Sequence, residues 1–170
     1  MDAFEAIRTV LAVREYKEKP IPPDALQRIL DAAHLTASSR NGQPWHFIVV
    51  QDRAKIQHLA SLAKSGPYMV NAPLVIAVAI EKASEYGHSD AGRAIQSMVL
   101  TAWSEGIGSN WVGYEGTLEA IASEFGLPDD HSLIALVPFG YPVKKLGKGK
   151  KNRRPFDEVV HGETYGTPFS

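Results

Sequence analysis

The polar side chains between Thr36 and Gln43 form a dense group of potential hydrogen-bonding partners. Two hydroxyls, a guanidinium and two amides lie within the six residues from Ser38 to Gln43, and Gly42 and Pro44 shape the backbone around them. An ordinary connection between a helix and a strand rarely carries so many donors and acceptors. The sequence therefore predicts a ligand-binding loop here, placed on a rigid scaffold.

A second candidate is the basic segment 144–154, in which seven of eleven residues are Lys or Arg. Elsewhere 11 basic residues stand against 19 acidic ones, and the formal net charge of the whole chain is -1. One cationic segment on an acidic body suits a compact anion such as a phosphate group better than a long polyanion. Its alternatives are a solvated run of charge or a nucleic-acid patch. Solvation alone accounts for Lys144, Lys145 and Lys148.

Several kinds of catalytic site are missing from the sequence. Because the chain has no cysteine, it can form no disulfide, thiolate nucleophile, Cys-ligated zinc site or iron–sulfur cluster. It also lacks a G-x-S-x-G elbow, a P-loop and a dinucleotide-binding G-x-G-x-x-G after a strand. The remaining polar chemistry fits a protein whose reactive atoms belong to a bound organic cofactor.

The histidines give no sign of a metal site. No two of them lie two or four residues apart, so no metal is expected. His46 is expected to pack inside a strand, and His131 to lie in a solvated turn. The six are His34, His46, His58, His88, His131 and His161.

Alternating apolar patterns predict the elements that position these residues. Helices are expected at about 2–11, after Pro22, at about 52–64, from Ser89 or Asp90 to about 105, and from Thr117 to Phe125. Strands are expected at 45–50, 74–80, 110–114 and 133–139. The continuous apolar run from Leu74 to Ile80 is typical of a strand buried on both faces. Together these elements predict one α+β domain over residues 1–170, with a three-layer α/β/α architecture.

The segment Thr36–Val50 resembles the P-S-x-x-N-x-Q-P-W block of the FMN-dependent nitroreductase family, with Ala37 in place of its proline. Four further segments resemble parts of that family in the same order, and together the five span nearly the whole chain. They are Arg14–Lys17 with Pro20–Pro22, Gly106–Gly113, Leu136–Pro142 and the basic Lys150–Pro155.

This resemblance implies a nitroreductase-like fold, with a central mixed sheet flanked by helices in an intertwined homodimer. Two FMN molecules would lie at the subunit interface, each bound by both chains. The polar loop of one subunit would cover the dimethylbenzene side of the flavin held mainly by the other. That role would belong to Ser38, Ser39, Arg40, Asn41 and Gln43.

The resemblance also implies roles for residues near the flavin ring and the phosphate. Arg14 would be the cation near the flavin N1/O2 edge, where a guanidinium stabilises the negative charge of reduced flavin. The backbone near Gly113, between Trp111 or Val112 and Tyr114, would present an N–H to flavin N5. Lys151 and Arg153, with Arg154 beside them, would bind the phosphate, which needs about two cations.

The chain departs from the family at Val10–Ala12, where many members have Arg-Arg-Ser. The usual N-terminal phosphate arginine and serine are therefore missing. Arg8 is the nearest replacement, but two residues along a helix is a rotation of about 200°. The phosphate would be bound either by Arg8 through a bent path or by Lys151, Arg153 and Arg154.

The activity implied is ping-pong hydride transfer from NADH or NADPH through flavin N5 to an electron-poor nitroaromatic, quinone or enone. No protein acid or base is required for it, and Tyr68, Tyr114 and Trp111 are candidates to line the acceptor pocket. Two alternatives stay open. One is a flavin-binding or storage protein without turnover; the other, less favoured, is a nucleic-acid-binding protein that uses the 144–154 segment.

The two ends of the chain carry further expectations. Residues 156–170 contain five large apolar side chains that a small core cannot cover, so this C-terminal extension is expected to pack on a partner subunit. The N-terminal residues include two acids and no apolar stretch typical of a secretory signal. The run from Ala72 to Ile80 is too short to span a bilayer. A cytoplasmic protein with no membrane partner is expected.

Overall fold

A computed structural model of the protein describes residues 1–144 and 151–169. Within these ranges, no helix is both long and apolar enough to cross a membrane. The helices are α1 (Ala3–Thr9), α2 (Pro23–His34), α3 (Arg53–Leu62), α4 (Gly87–Ser104) and α5 (Glu115–Ala122). The strands are β1 (Trp45–Val50), β2 (Leu74–Glu81), β3 (Gly108–Ser109) and β4 (His131–Gly140). Short 3₁₀ turns lie at Ser39–Asn41, Pro67–Asn71, Ser123–Phe125 and Phe156–Glu158.

The four strands form one sheet in the order β1-β2-β4-β3. Each neighbouring pair is antiparallel, with Trp45 opposite Ile80, Leu74 opposite Phe139, and Gly108 opposite Gly140. A mixed sheet was expected, but the four strands pair only in antiparallel fashion; the parallel pairing between Ala12 and Ser109 is an isolated bridge outside them. β1 and β3 are therefore the two edges of the sheet.

Strand β2 is buried on both faces, as its apolar run predicts. Each residue from Leu74 to Ile80 is at most 2% exposed. Its even-numbered side chains pack with α2 and α4, whereas Val75 and Ala77 pack with residues of α3, α5 and the 67–71 turn. The predicted three-layer architecture is therefore confirmed.

The predicted starts of three helices are confirmed, two of them by side-chain caps. The side chains of Asp2 and Asp52 accept hydrogen bonds from backbone N–H groups three residues later, at 2.8 and 2.7 Å. α2 begins at Pro23, where a missing N–H has no consequence. α1 ends at Thr9, before the expected Leu11, because the backbone is already extended at Val10 on its way to the bridge at Ala12.

Three other predicted boundaries are wrong. The strand expected at 110–114 lies at 108–109, because the Asn110 side chain accepts the hydrogen bond of the Trp111 N–H and ends the strand. α4 begins at Gly87, since the carboxylate of Asp90 binds the 38–43 loop and does not cap the helix. α5 begins at Glu115, so Thr117 is buried inside it instead of capping it, and the 3₁₀ turn Ser123–Phe125 carries the helix on to the expected Phe125.

The C-terminal residues 151–169 double back on themselves. His161 pairs with Pro168, and the rings of Phe156 and Phe169 lie 6.4 Å apart. Their large apolar side chains stay exposed, to 66% at Phe156, 92% at Tyr165 and 64% at Phe169. The segment therefore carries an apolar surface that the described part of the chain leaves exposed.

Gly108 provides a test of how β3 is held. A Cβ at this buried position would overlap Cγ2 of Val13 and lie 3.1 Å from its Cγ1, and the Val13 N–H bonds to the Ser109 carbonyl. We expect Gly108→Ala to lower the free energy of unfolding by about 1–3 kcal/mol, the usual range for overpacking. Urea denaturation would measure this. The same substitution in a Val13→Ala background should have a smaller effect, and an equal loss in both backgrounds would contradict the proposed clash.

Candidate functional site

The polar loop 38–43 is anchored to α4 by one buried carboxylate. Asp90, 1% exposed, accepts hydrogen bonds from the Ser39 N–H at 3.0 and 3.1 Å and from the Ser39 hydroxyl at 3.1 Å. Arg93 balances its charge from 2.6 Å and also approaches the carbonyl of Ala37. A buried carboxylate is costly unless hydrogen-bond donors or a cation pair with it. Ser39 and Arg93 are these partners of Asp90, so the loop is held with Ser39 beside α4.

The same loop adopts left-handed backbone conformations at three residues that are not glycine. The φ angles are 53° at Arg40, 56° at Asn41 and 47° at Gln43. Such conformations cost about 1–2 kcal/mol per residue and persist where surrounding contacts impose them. The Ser38 hydroxyl helps to do so by accepting the Gln43 N–H at 3.0 Å. The loop therefore presents the exposed side chains of Arg40, Asn41 and Gln43 in a fixed arrangement.

A second polar group lies beside β3. The Arg14 guanidinium is 5.7 Å from the ring centroid of Tyr68, and the Asn110 amide donates to the Tyr68 hydroxyl at 2.6 Å. Burial raises the pKa of Tyr68, against the opposing effects of Arg14 and Asn110, so the phenol stays protonated at neutral pH. Arg14 also borders a small open cavity of about 150 Å³.

The chain next to Asn110 combines a fixed backbone with an exposed ring. Val112 is buried and exchanges two 2.9 Å backbone hydrogen bonds with Leu136. The Trp111 ring is 47% exposed and crosses over Gly113, where an added Cβ would overlap the indole and lie 2.7 Å from its Cδ1. Gly66 packs directly against Val112. Close backbone packing thus holds residues 111–113 at the surface beside Arg14 and Tyr68.

Two of the predicted phosphate cations, Arg8 and Lys151, lie at the end of α1. The Lys151 ammonium donates to the carbonyl of Ile7, so it lies next to Arg8. Burial and the nearby Arg153 charge lower the pKa of Lys151. Arg8 itself is paired with Glu5 at 2.7 Å, and Arg154 is exposed. Of the basic segment, Lys145, Lys148 and Lys150 lie outside the described residues.

These groups do not form one site within a single chain. The loop 38–43 leads into edge strand β1, whereas Arg14, Asn110 and Trp111 lie at edge strand β3. Three strand spacings of about 4.8 Å separate the two edges. Helix α4 runs from the loop towards β3, and its 18 residues span about 27 Å. The chain therefore carries two separate half-sites: a loop half-site (38–43) and a ring half-site (Arg14, Tyr68 and 110–113).

Several structural partners of these half-sites were not found by sequence reasoning. Asp90 was expected to start a helix, but its side chain binds Ser39, 51 residues away. Asn110 was expected to lie within a strand, but its side chain binds Tyr68, 42 residues away. His46 was expected to pack inside the sheet, but its side chain is half exposed and faces His131. No local pattern signals these contacts.

Comparison with known proteins adds independent information. The family model described as "Putative TM nitroreductase" matches residues 2–169. A protein of Methanothermobacter thermautotrophicus named "Putative NADH dehydrogenase/NAD(P)H nitroreductase" is 32% identical over 86% of this chain and 81% of its own length.

Two solved structures extend the match to the fold. A protein of the same name from Bacteroides thetaiotaomicron superposes with a TM-score of 0.88 at 28% identity, covering 96% of this chain and 98% of that one. An FMN-dependent nitroreductase from Clostridium difficile has a TM-score of 0.87 at 25% identity, covering 95% and 99%. The described elements are thus those of a known enzyme fold.

The anchoring of the loop half-site can be tested with Asp90→Asn. Asparagine keeps the size of the side chain but loses the charge that Ser39 and Arg93 bind. We expect the free energy of unfolding to fall by about 1–3 kcal/mol, as for other hydrogen bonds to charged groups. We also expect the Ser39 amide to exchange faster with deuterium. The matched control is Asp31→Asn on the exposed side of α2, expected to change stability by at most about 0.5 kcal/mol. Equal losses in the two variants would contradict an anchoring role.

Proposed function

Because this chain belongs to the nitroreductase family, we propose that it is an FMN-dependent oxidoreductase that takes hydride from NADH or NADPH and passes it to a small electron-poor acceptor. The observation that supports this most directly is the pair of half-sites at opposite edges of the sheet. Each half carries groups suited to one side of a flavin, and neither is complete alone.

The ring half-site fits the polar edge of an isoalloxazine. Arg14 supplies a positive charge, and the protonated Tyr68 hydroxyl and the Asn110 amide are fixed beside it by their 2.6 Å hydrogen bond. A fixed guanidinium stabilises negative charge that develops on a bound ring. The exposed backbone at Gly113 lies next to these groups and is a candidate donor to flavin N5. Trp111 and the exposed Tyr114 are candidates to contact the acceptor.

The cations at the end of α1 fit a terminal phosphate. Lys151 and Arg153 lie near each other, and Arg8 follows the Ile7 carbonyl that Lys151 contacts. A phosphomonoester needs about two such cations. Arg8 is the weaker candidate since its guanidinium is already paired with Glu5 in a bidentate geometry. We assign the phosphate mainly to Lys151 and Arg153, with Arg154 as an exposed neighbour.

A second copy of the chain supplies the missing half of each site. In a homodimer with two-fold symmetry, the loop half-site of one subunit can cover the ring half-site of the other, which creates two equivalent sites. Ser38, Ser39, Arg40, Asn41 and Gln43 then contact the cofactor across the interface. The exposed apolar side chains of residues 156–169 provide surface for the same association, as an extension of one domain onto its partner.

FMN held by these residues would supply the redox chemistry of hydride transfer at N5, and donor and acceptor would use the one site in turn, in ping-pong order. The residues of the chain bind the cofactor and orient it. Tyr68 remains protonated because burial raises its pKa, so it acts as a hydrogen-bond donor. A flavin-storage role would use the same residues, and steady-state oxidation of NADH or NADPH with a nitroaromatic acceptor distinguishes the two.

Complementation between subunits tests the shared site. One variant carries Arg14→Ala; the other carries Asn41→Asp with Gln43→Glu, which preserve side-chain size. Each homodimer should lose activity at least about tenfold, the loss expected for one hydrogen bond to a charged group. Co-expressed with two different tags, the mixed dimer contains one site with both halves intact. It should therefore recover about half of the wild-type activity. Activity in mixed dimers no higher than the average of the two variants would contradict a site built from two chains.

The phosphate assignment can be tested by comparing FMN with riboflavin. Lys151→Ala with Arg153→Ala should weaken FMN binding by about 10- to 100-fold, because charge-assisted hydrogen bonds are lost. Riboflavin affinity should not change, since riboflavin has no phosphate. Fluorescence titration measures both, and Arg53→Ala on α3 is the control. An equal loss for the two ligands would show that the cations act on something other than the phosphate.

A further inference from the structure

Three side chains of types that can bind a metal ion meet where β1 and β4 begin and β2 ends. His46 is the second residue of β1, Glu81 the last of β2 and His131 the first of β4. The two imidazole Nε2 atoms lie 3.1 Å apart, and Nε2 of His46 is 3.9 Å from a carboxylate oxygen of Glu81. One ligand atom from each of the three residues lies within 4.8 Å of the others. The cluster belongs to neither half-site described above.

The strand register explains why the three side chains converge. Glu81 is directly opposite His131, and His46 is opposite Ala79 two residues along β2. Side chains alternate along a strand, and His46, Glu81 and His131 share the sheet face of the buried Val50, Ala77 and Leu133. The face is covered by α3 and α5 further along, but His46 and Glu81 remain half exposed.

A fourth residue orients the ring of His131. Nδ1 of His131 lies 2.7 Å from the carboxylate of Asp130. This contact leaves Nε2 of His131 facing Nε2 of His46 at 3.1 Å. The backbone here is fixed as well, since Lys82 donates through its N–H and its ammonium to the carbonyls of Asp130 and Asp129. Metal-binding histidines commonly have such a carboxylate behind the ligating ring.

The distances suit a tetrahedral metal ion. Zinc binds imidazole nitrogen at about 2.0–2.1 Å, so two nitrogen ligands on one ion lie about 3.3 Å apart. The observed 3.1 Å between the two Nε2 atoms is close to that value. Glu81 is exposed and can move the short distance needed to complete three protein ligands. His131 also borders an open cavity of about 640 Å³, which leaves room for a water at the fourth position.

We propose that His46, Glu81 and His131 bind a divalent transition metal of the zinc class, with Asp130 orienting His131. Imidazole with one carboxylate is a donor set that zinc accepts readily. The ion ties the adjoining ends of β1, β2 and β4. It also lies next to the loop half-site, because the Glu81 N–H bonds to the carbonyl of Pro44 at 3.0 Å. The binding does not depend on flavin or on turnover.

Calorimetric titration of the untagged, flavin-loaded protein with zinc chloride, after removal of metals with EDTA, tests this site. We expect one zinc per chain and a rise in Tm, because an ion bound only to the native state stabilises it. His46→Ala and His131→Ala should each abolish the saturable binding. Asp130→Asn should weaken it by about 10- to 100-fold, as for other residues that orient a metal ligand.

A matched control is available on α3. His58 lies 3.2 Å from the carboxylate of Glu124 and is half exposed, but no second histidine joins that pair in the described residues. His58→Ala should therefore retain zinc binding. Zinc-edge X-ray absorption should show two imidazole ligands in the wild-type protein.

The near-isosteric Glu81→Gln should also weaken binding, and the Tm of each variant without metal shows whether it has folded. Failure of the wild-type protein to bind zinc would overturn the proposal. So would binding that survives the loss of either histidine, or that is lost in His58→Ala. In each of these cases the 3.1 Å contact is a hydrogen bond between two imidazoles and not part of a metal site.

Discussion

Burial of β2 on both of its faces is the constraint on which the rest of the fold depends. Seven consecutive apolar residues, from Leu74 to Ile80, cannot face water, so helices must cover the sheet on either side. α2 and α4 cover one face, and α3 and α5 the other. β1 and β3 then become opposite edges, because β2 and β4 occupy the middle. The polar residues attached to those edges are held apart by the full width of the core.

That separation gives the proposed dimer its physical reason. A flat organic cofactor needs groups on both its faces and along its edge, and one subunit offers these at two distant places. α4 links them, since it carries Asp90 near its first turn and leads directly towards β3. The buried carboxylate of Asp90 also maintains the left-handed backbone of the loop, where local preferences alone would favour other conformations. Loop position is therefore set by packing of the helix, and in the proposed dimer a second subunit completes the site.

Local interactions explain which parts of the fold the sequence predicts well. β1 occupies the six expected residues, and β2 and β4 cover the expected runs. An uninterrupted apolar segment between turn residues can be recognised from adjacent residues alone, which is why these strands are predictable. The caps at Asp2 and Asp52 and the proline start of α2 likewise involve residues three positions apart or fewer. The resemblance to the nitroreductase family rests on short contiguous motifs of the same kind, and the fold agrees with it.

Contacts between distant residues explain the rest. Asp90 next to Ser39, Asn110 next to Tyr68, and His46 next to His131 are separated by 51, 42 and 85 residues. Spacing along the chain does not indicate such pairs, since they depend on strand order and register. The sequence by itself determined the elements, the buried strand and the polar loop, because each is encoded by neighbouring residues. Only the tertiary structure decided where the loop is anchored, which edges carry the half-sites and which histidines meet, because pairing across the sheet is a property of the packed core.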